Sequence, residues 1–123
     1  MLTIVVLTYN GELLLPDCIR SINDQFIPYE HRKVIIDNGS ERHVDSIPGW
    51  DVVRIDVNKG HINGINKAFE YADDGWVLFI SNDVRLGKFC INNMMRATVL
   101  NVDQIQPVIL KPFGNPGGYE NIC

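Results

Sequence analysis

The chain has 123 residues, 46% of them hydrophobic and 21% charged, which suits one compact globular domain and leaves little room for two. Eleven Lys and Arg against fifteen Asp and Glu leave a formal charge of -4 at pH 7. That is the wrong sign for a protein that grips nucleic acid through its phosphates, although a nucleotide can still be held by backbone N–H groups and a divalent cation. The three cysteines, Cys18, Cys90 and Cys123, are far apart and odd in number. They fit neither a disulfide framework nor a zinc site and are expected to be reduced, with Cys18 and Cys90 on helix faces.

In chain order, the first element is the apolar run "TIVVLT" (3–8), rich in β-branched residues and read as a buried strand. With its flanks it is too short to cross a bilayer, which takes about 20 residues, and no basic stretch precedes it. The expectation is a cytoplasmic protein without a transmembrane segment. From 13 to 26, Leu15, Cys18, Ile19, Ile22 and Phe26 form one helical stripe. Asn10 is a plausible cap, and Pro16 suits only an early turn, so the regular helix is expected to begin near Leu15.

"KVIID" (33–37) and "DVVRID" (51–56) read as the second and third strands, with a loop or short helix at 40–48 between them. A second helix is expected over 61–73, with Ile62, Ile65, Phe69 and Ala72 inward and Gly75 as its stop. "WVLFIS" (76–81) reads as a fourth strand buried on both faces. A third helix is expected over about 88–99, with Ile91, Met94, Met95 and Thr98 inward. Pro107 demotes "QIQPVIL" to an edge strand or irregular segment, and "KPFGNPGGYENIC" shows no period. Strands alternating with helices imply an α/β fold with a mostly parallel sheet.

In such a sheet, ligands collect beyond the carboxyl ends of the strands. Polar clusters stand at those ends: "TYN" (8–10), "DNGS" (37–40), "NKGHINGIN" (58–66) and "SND" (81–83). A carboxylate at Asp37 could accept the N3–H of uracil or thymine, which cytosine lacks; it could equally cap its own turn, as Asp readily does. Gly60 and Gly64 flank a helix start whose N–H groups favour an anion such as a diphosphate, or they are simply a turn glycine and a packing glycine. His61 could donate to a phosphate or face solvent. Asp83 could serve a magnesium or manganese ion, which often takes one or two carboxylates and completes its shell with substrate phosphates and water, or it could be a turn residue.

Taken together, "VVLTYNGELLLPDCIRSINDQ", "KVIIDNGS" and "NKGHINGINKAFEYADDGWVLFISNDV" resemble, in order and spacing, the inverting family 2 glycosyltransferases of the GT-A fold over roughly residues 1–86. The resemblance implies a GT-A, Rossmann-like sheet flanked by helices. It implies that Thr8 and Tyr9 line a base pocket, that Asp37 holds the pyrimidine, and that Asn58, Gly60 and Asn66 shape the ribose and diphosphate site. Asn10 and Asn82 are counted with these donor-binding residues. Asp83 matches the last acid of the DxD motif and is the implied metal contact for Mn2+ or Mg2+. Ser81 stands where the first acid is usual, as in members that resemble rhamnosyltransferases, and Ile65 replaces a frequent Arg.

The implied reaction transfers a sugar from a UDP- or dTDP-sugar, with dTDP-rhamnose among the candidates, to a hydroxyl of a carbohydrate or other acceptor, with inversion. Residues 1–110 are read as the nucleotide-sugar-binding half, and 111–123 as a Pro/Gly-rich tail or the start of an acceptor half. No residue is assigned as catalytic base: "GGYEN" (117–121) faintly resembles a Gly-Gly-Phe-Asp-Glu stretch of the acceptor half, but it follows Asp83 too soon to assign Glu120. The rival reading is a module that binds a nucleotide sugar without turnover. A phosphoryl- or nucleotidyl-transfer enzyme of another α/β family would need a glycine-rich phosphate loop after the first strand, and "TYNGEL" is not one.

Overall fold

The computed structural model describes residues 1–72 and 75–106, together with the backbone of 108–110 and 119–122. It divides into two compact units, Met1–Leu13 with Tyr29–Asn82, and Leu14–Pro28 with Asp83–Cys123.

The first unit is built on four strands, β1 (Leu2–Thr8), β2 (His31–Asp37), β3 (Asp51–Arg54) and β4 (Trp76–Ser81). They are parallel and ordered β3-β2-β1-β4. The register places Thr8 beside Asp37, Asp37 beside Arg54, and Leu7 beside Ser81, so the ends of all four strands share one rim. β1 and β2 are central and carry unbroken apolar runs, with Ile4, Val5, Val6, Val34, Ile35 and Ile36 fully buried. This is what strands covered on both faces require. β3 stops at Arg54, two residues before the expected end.

β4 departs from its expected burial on both faces. Among the described residues it pairs only with β1, and its inner residue Ile80 is buried while Phe79 and Ser81 are exposed. An apolar run can therefore serve a margin strand, where one side of each pair remains open.

One helix of this unit, α2 (His61–Phe69), lies against the sheet by Gly64 and Ala68, its two buried residues. A Cβ on Gly64 would come within 2.6 Å of a Leu7 methyl, so the helix backbone runs close over β1. The expected inward stripe is thus not the packing face: Ile62 is 68% exposed and Phe69 54% exposed, with Ile65 only half-buried. Small residues one turn apart win because they permit the closest approach to the sheet. The core on this side comprises Val5, Val34, Ile36 and Ala68, bordered by Leu7, Val53, Ile55, Tyr71 and Val77. Phe69 instead meets Phe79 edge-on, with ring centres 5.3 Å apart.

The second unit contains α1 (Leu15–Asn23), β5 (Val84–Leu86), α3 (Cys90–Ala97) with a 3-10 turn at Thr98–Leu100, β6 (Val108–Leu110) and β7 (Tyr119–Ile122). α1 begins at Leu15 with Pro16 in its first turn, as expected, and buries Leu15, Cys18, Ile19 and Ile22. Phe26 lies beyond the helix end and is 63% exposed. Asn10 is not its cap: Leu14 occupies that position and makes no side-chain capping bond.

α3 is shorter than expected; it buries Ile91 and leaves Met94, Met95 and Thr98 half-buried. β7 pairs parallel with β5 and antiparallel with β6, so the segment read as lacking a period supplies a strand, and β6 is the margin strand expected there. Cys18 is a buried thiol, whereas Cys90 is disulfide-bonded rather than reduced. No described helix is long and apolar enough to cross a membrane.

Candidate functional site

The strand order changes direction at β1: the chain runs outward through β2 and β3, then returns to add β4 on the other side. The crevice at the carboxyl ends of β1 and β4 is therefore the switch point where parallel sheets bind ligands. There the amide of Asn82 donates to the Thr8 hydroxyl at 2.8 Å. Gly11 leaves room for this contact, since a Cβ on it would lie 2.6 Å from the Thr8 hydroxyl oxygen and collide with the Asn82 amide.

The turn after β2 is tied to the turn after β1. The Asn38 N–H donates to the Thr8 carbonyl at 2.8 Å, and the Asn10 N–H donates to the Ser40 hydroxyl at 2.9 Å. Asn10 adopts a left-handed backbone (φ 48°), and its side-chain oxygen accepts the Glu41 N–H at 2.9 Å. Asn tolerates that conformation better than most residues, which suits it to this joint rather than to capping α1.

Asp37 is the buried centre of the rim, 1% exposed. One carboxylate oxygen accepts the Ser40 N–H at 3.0 Å; the other accepts the Val44 N–H at 3.2 Å and the Arg54 guanidinium at 2.9 Å. The same guanidinium nitrogen also donates to the Ser40 carbonyl at 2.9 Å. Burial pushes the Asp37 carboxyl up, but the hydrogen bonds from Ser40, Val44 and Arg54 outweigh it and hold the group below the usual carboxylate range. The geometry is that of a residue that organises its own turn.

Its neighbour Asn38 has a different standing. Its amide donates to the Gly60 carbonyl at 3.2 Å and reaches the Asn58 side-chain oxygen at 3.5 Å, while its own Oδ1 is buried and accepts nothing among the described residues. Asn58 Oδ1 also takes the Gly60 N–H at 2.8 Å, and Gly60 (φ 99°) turns the chain into α2. Gly39 (φ 83°) passes 2.6 Å, measured from its would-be Cβ, from the Asn58 N–H nitrogen. Both glycines occupy backbone that other residues adopt with strain.

Of the predicted residues, the first unit thus joins Thr8 to Asn82, Asn10 to the Asp37 turn, and Asn58 to Gly60 by hydrogen bonds. Tyr9 is exposed beside them; Asn66 is exposed on α2 and is joined to none of them by a described hydrogen bond. Asp83 begins the second unit and is half-buried. No group of three His, Cys, Asp or Glu that could hold an ion occurs among the described residues. The donor set therefore fits Mn2+ or Mg2+ only as one carboxylate completed by phosphate oxygens and water.

Sequence reasoning missed three partners. Arg54 was read inside an apolar run, although an Arg interrupting "DVVRID" at a strand end was a visible signal. Ser40 and Asn38 lay within the quoted "DNGS" but were passed over for Asp37. A separate cleft of about 490 Å3 opens in the second unit, lined by Arg20, Ser21, Gln25, Arg85 and Gly87 among others, and none of the predicted residues borders it.

No curated protein matches the chain. Among solved structures it is similar to S. aureus TarS 1-349, with a TM-score of 0.65 and 22% identity, covering 81% of this chain and 32% of that one. It is also similar to S. aureus TarS (TM-score 0.56, 24% identity, 67% of this chain and 16% of that one). The same TM-score and identity hold for TarS 1-349 in complex with UDP, with 67% of this chain and 27% of that one covered. The chain thus spans about a third or less of the TarS chains, and the likeness shows the fold, a GT-A, Rossmann-like sheet with flanking helices. The family model described as "Glycosyl transferase family 2" matches residues 3–122, and the chain belongs to that family.

Proposed function

We propose that this chain is the nucleotide-sugar-binding part of an inverting glycosyltransferase that uses a UDP- or dTDP-sugar and a divalent cation. The observation that carries the reading is the family match over 3–122, which spans the rim assembled at the switch point of the sheet. The UDP in the TarS complex supports a pyrimidine nucleotide as the donor's handle.

In this reading Thr8, Tyr9 and Asn10 border the base, and Asp37 holds the pyrimidine ring through the N3–H of uracil or thymine. A carboxylate oxygen accepts more than one hydrogen bond, so the Ser40, Val44 and Arg54 donors leave Asp37 capacity for a ligand, and the unsatisfied Oδ1 of Asn38 beside it is a second acceptor on the same turn. Asn58, Gly60 and Asn66 border the ribose and diphosphate, where the start of α2 presents N–H groups. Asn82 holds Thr8, and Asp83 contacts the cation. When bound, that cation would neutralise charge on the departing diphosphate. The acceptor hydroxyl attacks the anomeric carbon in line, and the base that deprotonates it is unassigned; the Glu120 side chain lies outside the described residues.

The test is calorimetry with UDP and dTDP, each with and without Mn2+. Asp83→Ala should weaken binding by about tenfold with Mn2+, the loss of roughly one charge-assisted contact, and hardly at all without it. Equal affinity of variant and parent in the metal-containing sample would remove Asp83 from the metal site.

A second reading is binding of a nucleotide sugar without turnover. Sugar transfer above background by this chain, from a panel of donors to simple acceptors, would exclude it.

A further inference from the structure

Two polar residues, Ser21 on α1 and Gln25 just beyond its end, have no role in the donor reading, yet both reach chain more than sixty residues away. The Ser21 hydroxyl accepts the Leu86 N–H at 3.0 Å and donates to the Cys18 carbonyl at 2.8 Å. The Gln25 amide donates to the Gly87 carbonyl at 2.8 Å and to the Ser21 carbonyl at 3.2 Å, and its oxygen accepts the Ile91 N–H at 3.2 Å.

These contacts fall where the chain most needs them. β5 has three residues, and α3 starts without a capping side chain of its own from Phe89. Phe89 itself holds a left-handed backbone (φ 67°), which a bulky residue keeps only when its surroundings enforce it. Gln25 supplies the missing cap by taking the N–H of the second helical residue, Ile91. Leu86 and Ile91 are buried, so their N–H groups would otherwise lack water, while the Gly87 carbonyl, which also accepts the Cys90 N–H at 3.1 Å, gains a second donor. Asp83 stands at the start of this pinned run, three residues before Leu86. Its charge is felt on α1: burial first, and the Asp83 carboxylate second, push the Cys18 thiol up to about 12.

We propose that Ser21 and Gln25 are positioning residues that hold the Asp83 carboxylate in place for the cation by clamping the backbone of 86–91 to α1 and the turn that follows it. The proposal rests on the reading of Asp83 as the metal contact. A clamp of this kind should matter to the metal-assisted part of nucleotide binding and leave the metal-free part, which rests on the first unit, alone.

The experiment measures UDP affinity by calorimetry with and without Mn2+ on the full chain, for Ser21→Ala, Ser21→Thr, Gln25→Ala, Gln25→Glu and Asp83→Asn, with thermal unfolding of each. Ser21→Ala and Gln25→Ala should each lose about fivefold of the affinity gained on adding Mn2+, the worth of about one neutral hydrogen bond, with metal-free affinity unchanged. Ser21→Thr, which keeps the hydroxyl, should retain most of the gain and keeps the test open if an alanine variant does not fold, whereas Gln25→Glu, which puts a carboxylate oxygen against the Gly87 and Ser21 carbonyls, should lose it as Gln25→Ala does.

A purely structural role would lower the unfolding temperature while leaving the Mn2+ gain intact, and that result overturns the proposal. If Asp83→Asn loses the gain and the alanine variants do not, the clamp is wrong and the metal reading stands. If Asp83→Asn keeps the gain, the metal reading falls and the clamp with it.

Discussion

Asp37 illustrates how far one residue's role depends on its neighbours. Its carboxylate is buried and holds three donors, one of them the partly buried Arg54 guanidinium. Removing one partner of such a pair leaves an uncompensated charge, so Asp37→Asn should destabilise the chain by about 3 kcal/mol at neutral pH. The sign of the pH dependence follows from the lowered carboxyl. Stability that Asp37 contributes is fully present above the carboxyl value of the unfolded chain, near 3.8, and is lost as pH falls through the lower folded value. Urea unfolding of parent and Asp37→Asn should therefore differ most at pH 7 and converge as pH falls below that range. A difference that stays constant down to pH 3 would mean the carboxylate's charge is not what the turn uses. The turn-capping role was legible in Asp37 as one of two readings; the unsatisfied Oδ1 of Asn38 was not, because both residues are small, polar and buried and only their hydrogen bonds distinguish them.

At the scale of elements, the strands were the most legible part of the chain. β1 and β2 announce themselves by continuous β-branched runs, and their parallel pairing follows from the helical stretches between strands. The helix faces were less so. α2 carries apolar residues on more than one side, and periodicity weights Ile and Phe above Gly and Ala, although the sheet receives the small ones. β4 was misjudged for the converse reason: an apolar run does not say whether a second neighbour exists.

The joint between β1 and β4 gives an element-scale prediction. Gly11→Ala would place a methyl against the Asn82 amide and 2.6 Å from the Thr8 hydroxyl, breaking the contact that closes the switch point. UDP affinity should fall about tenfold with a loss of stability of only about 1 kcal/mol, one part-buried hydrogen bond. Calorimetry and urea unfolding on the same variant separate the two. Unchanged UDP affinity would mean the ligand does not use this crevice.

For the whole molecule, the net charge of -4 and ordinary composition excluded a general nucleic-acid binder but could not select a base. Selection would be a property of the folded chain alone, since the rim draws together turns separated by up to 74 residues, as Asn82 and Thr8 show. A ligand that binds only this assembled state must stabilise it. UDP with Mn2+, at one hundred times its dissociation constant, should add about 2.7 kcal/mol, or about 10 °C in unfolding temperature for a chain of this size. CDP offers no N3–H to the Asp37–Asn38 turn, and leaving an acceptor there unpaired should cost about 1.4 kcal/mol, tenfold in affinity. At the same concentration CDP should therefore shift the unfolding temperature by only about half as much. Asn38→Ala should bring the two shifts together where the Asn38 oxygen takes the N3–H and leave them apart where the Asp37 carboxylate does, because the ribose and diphosphate contacts remain in both cases. Equal shifts in the parent chain would show that the pocket does not read the base through this turn, and no shift with either nucleotide would mean that the rim is not a donor site.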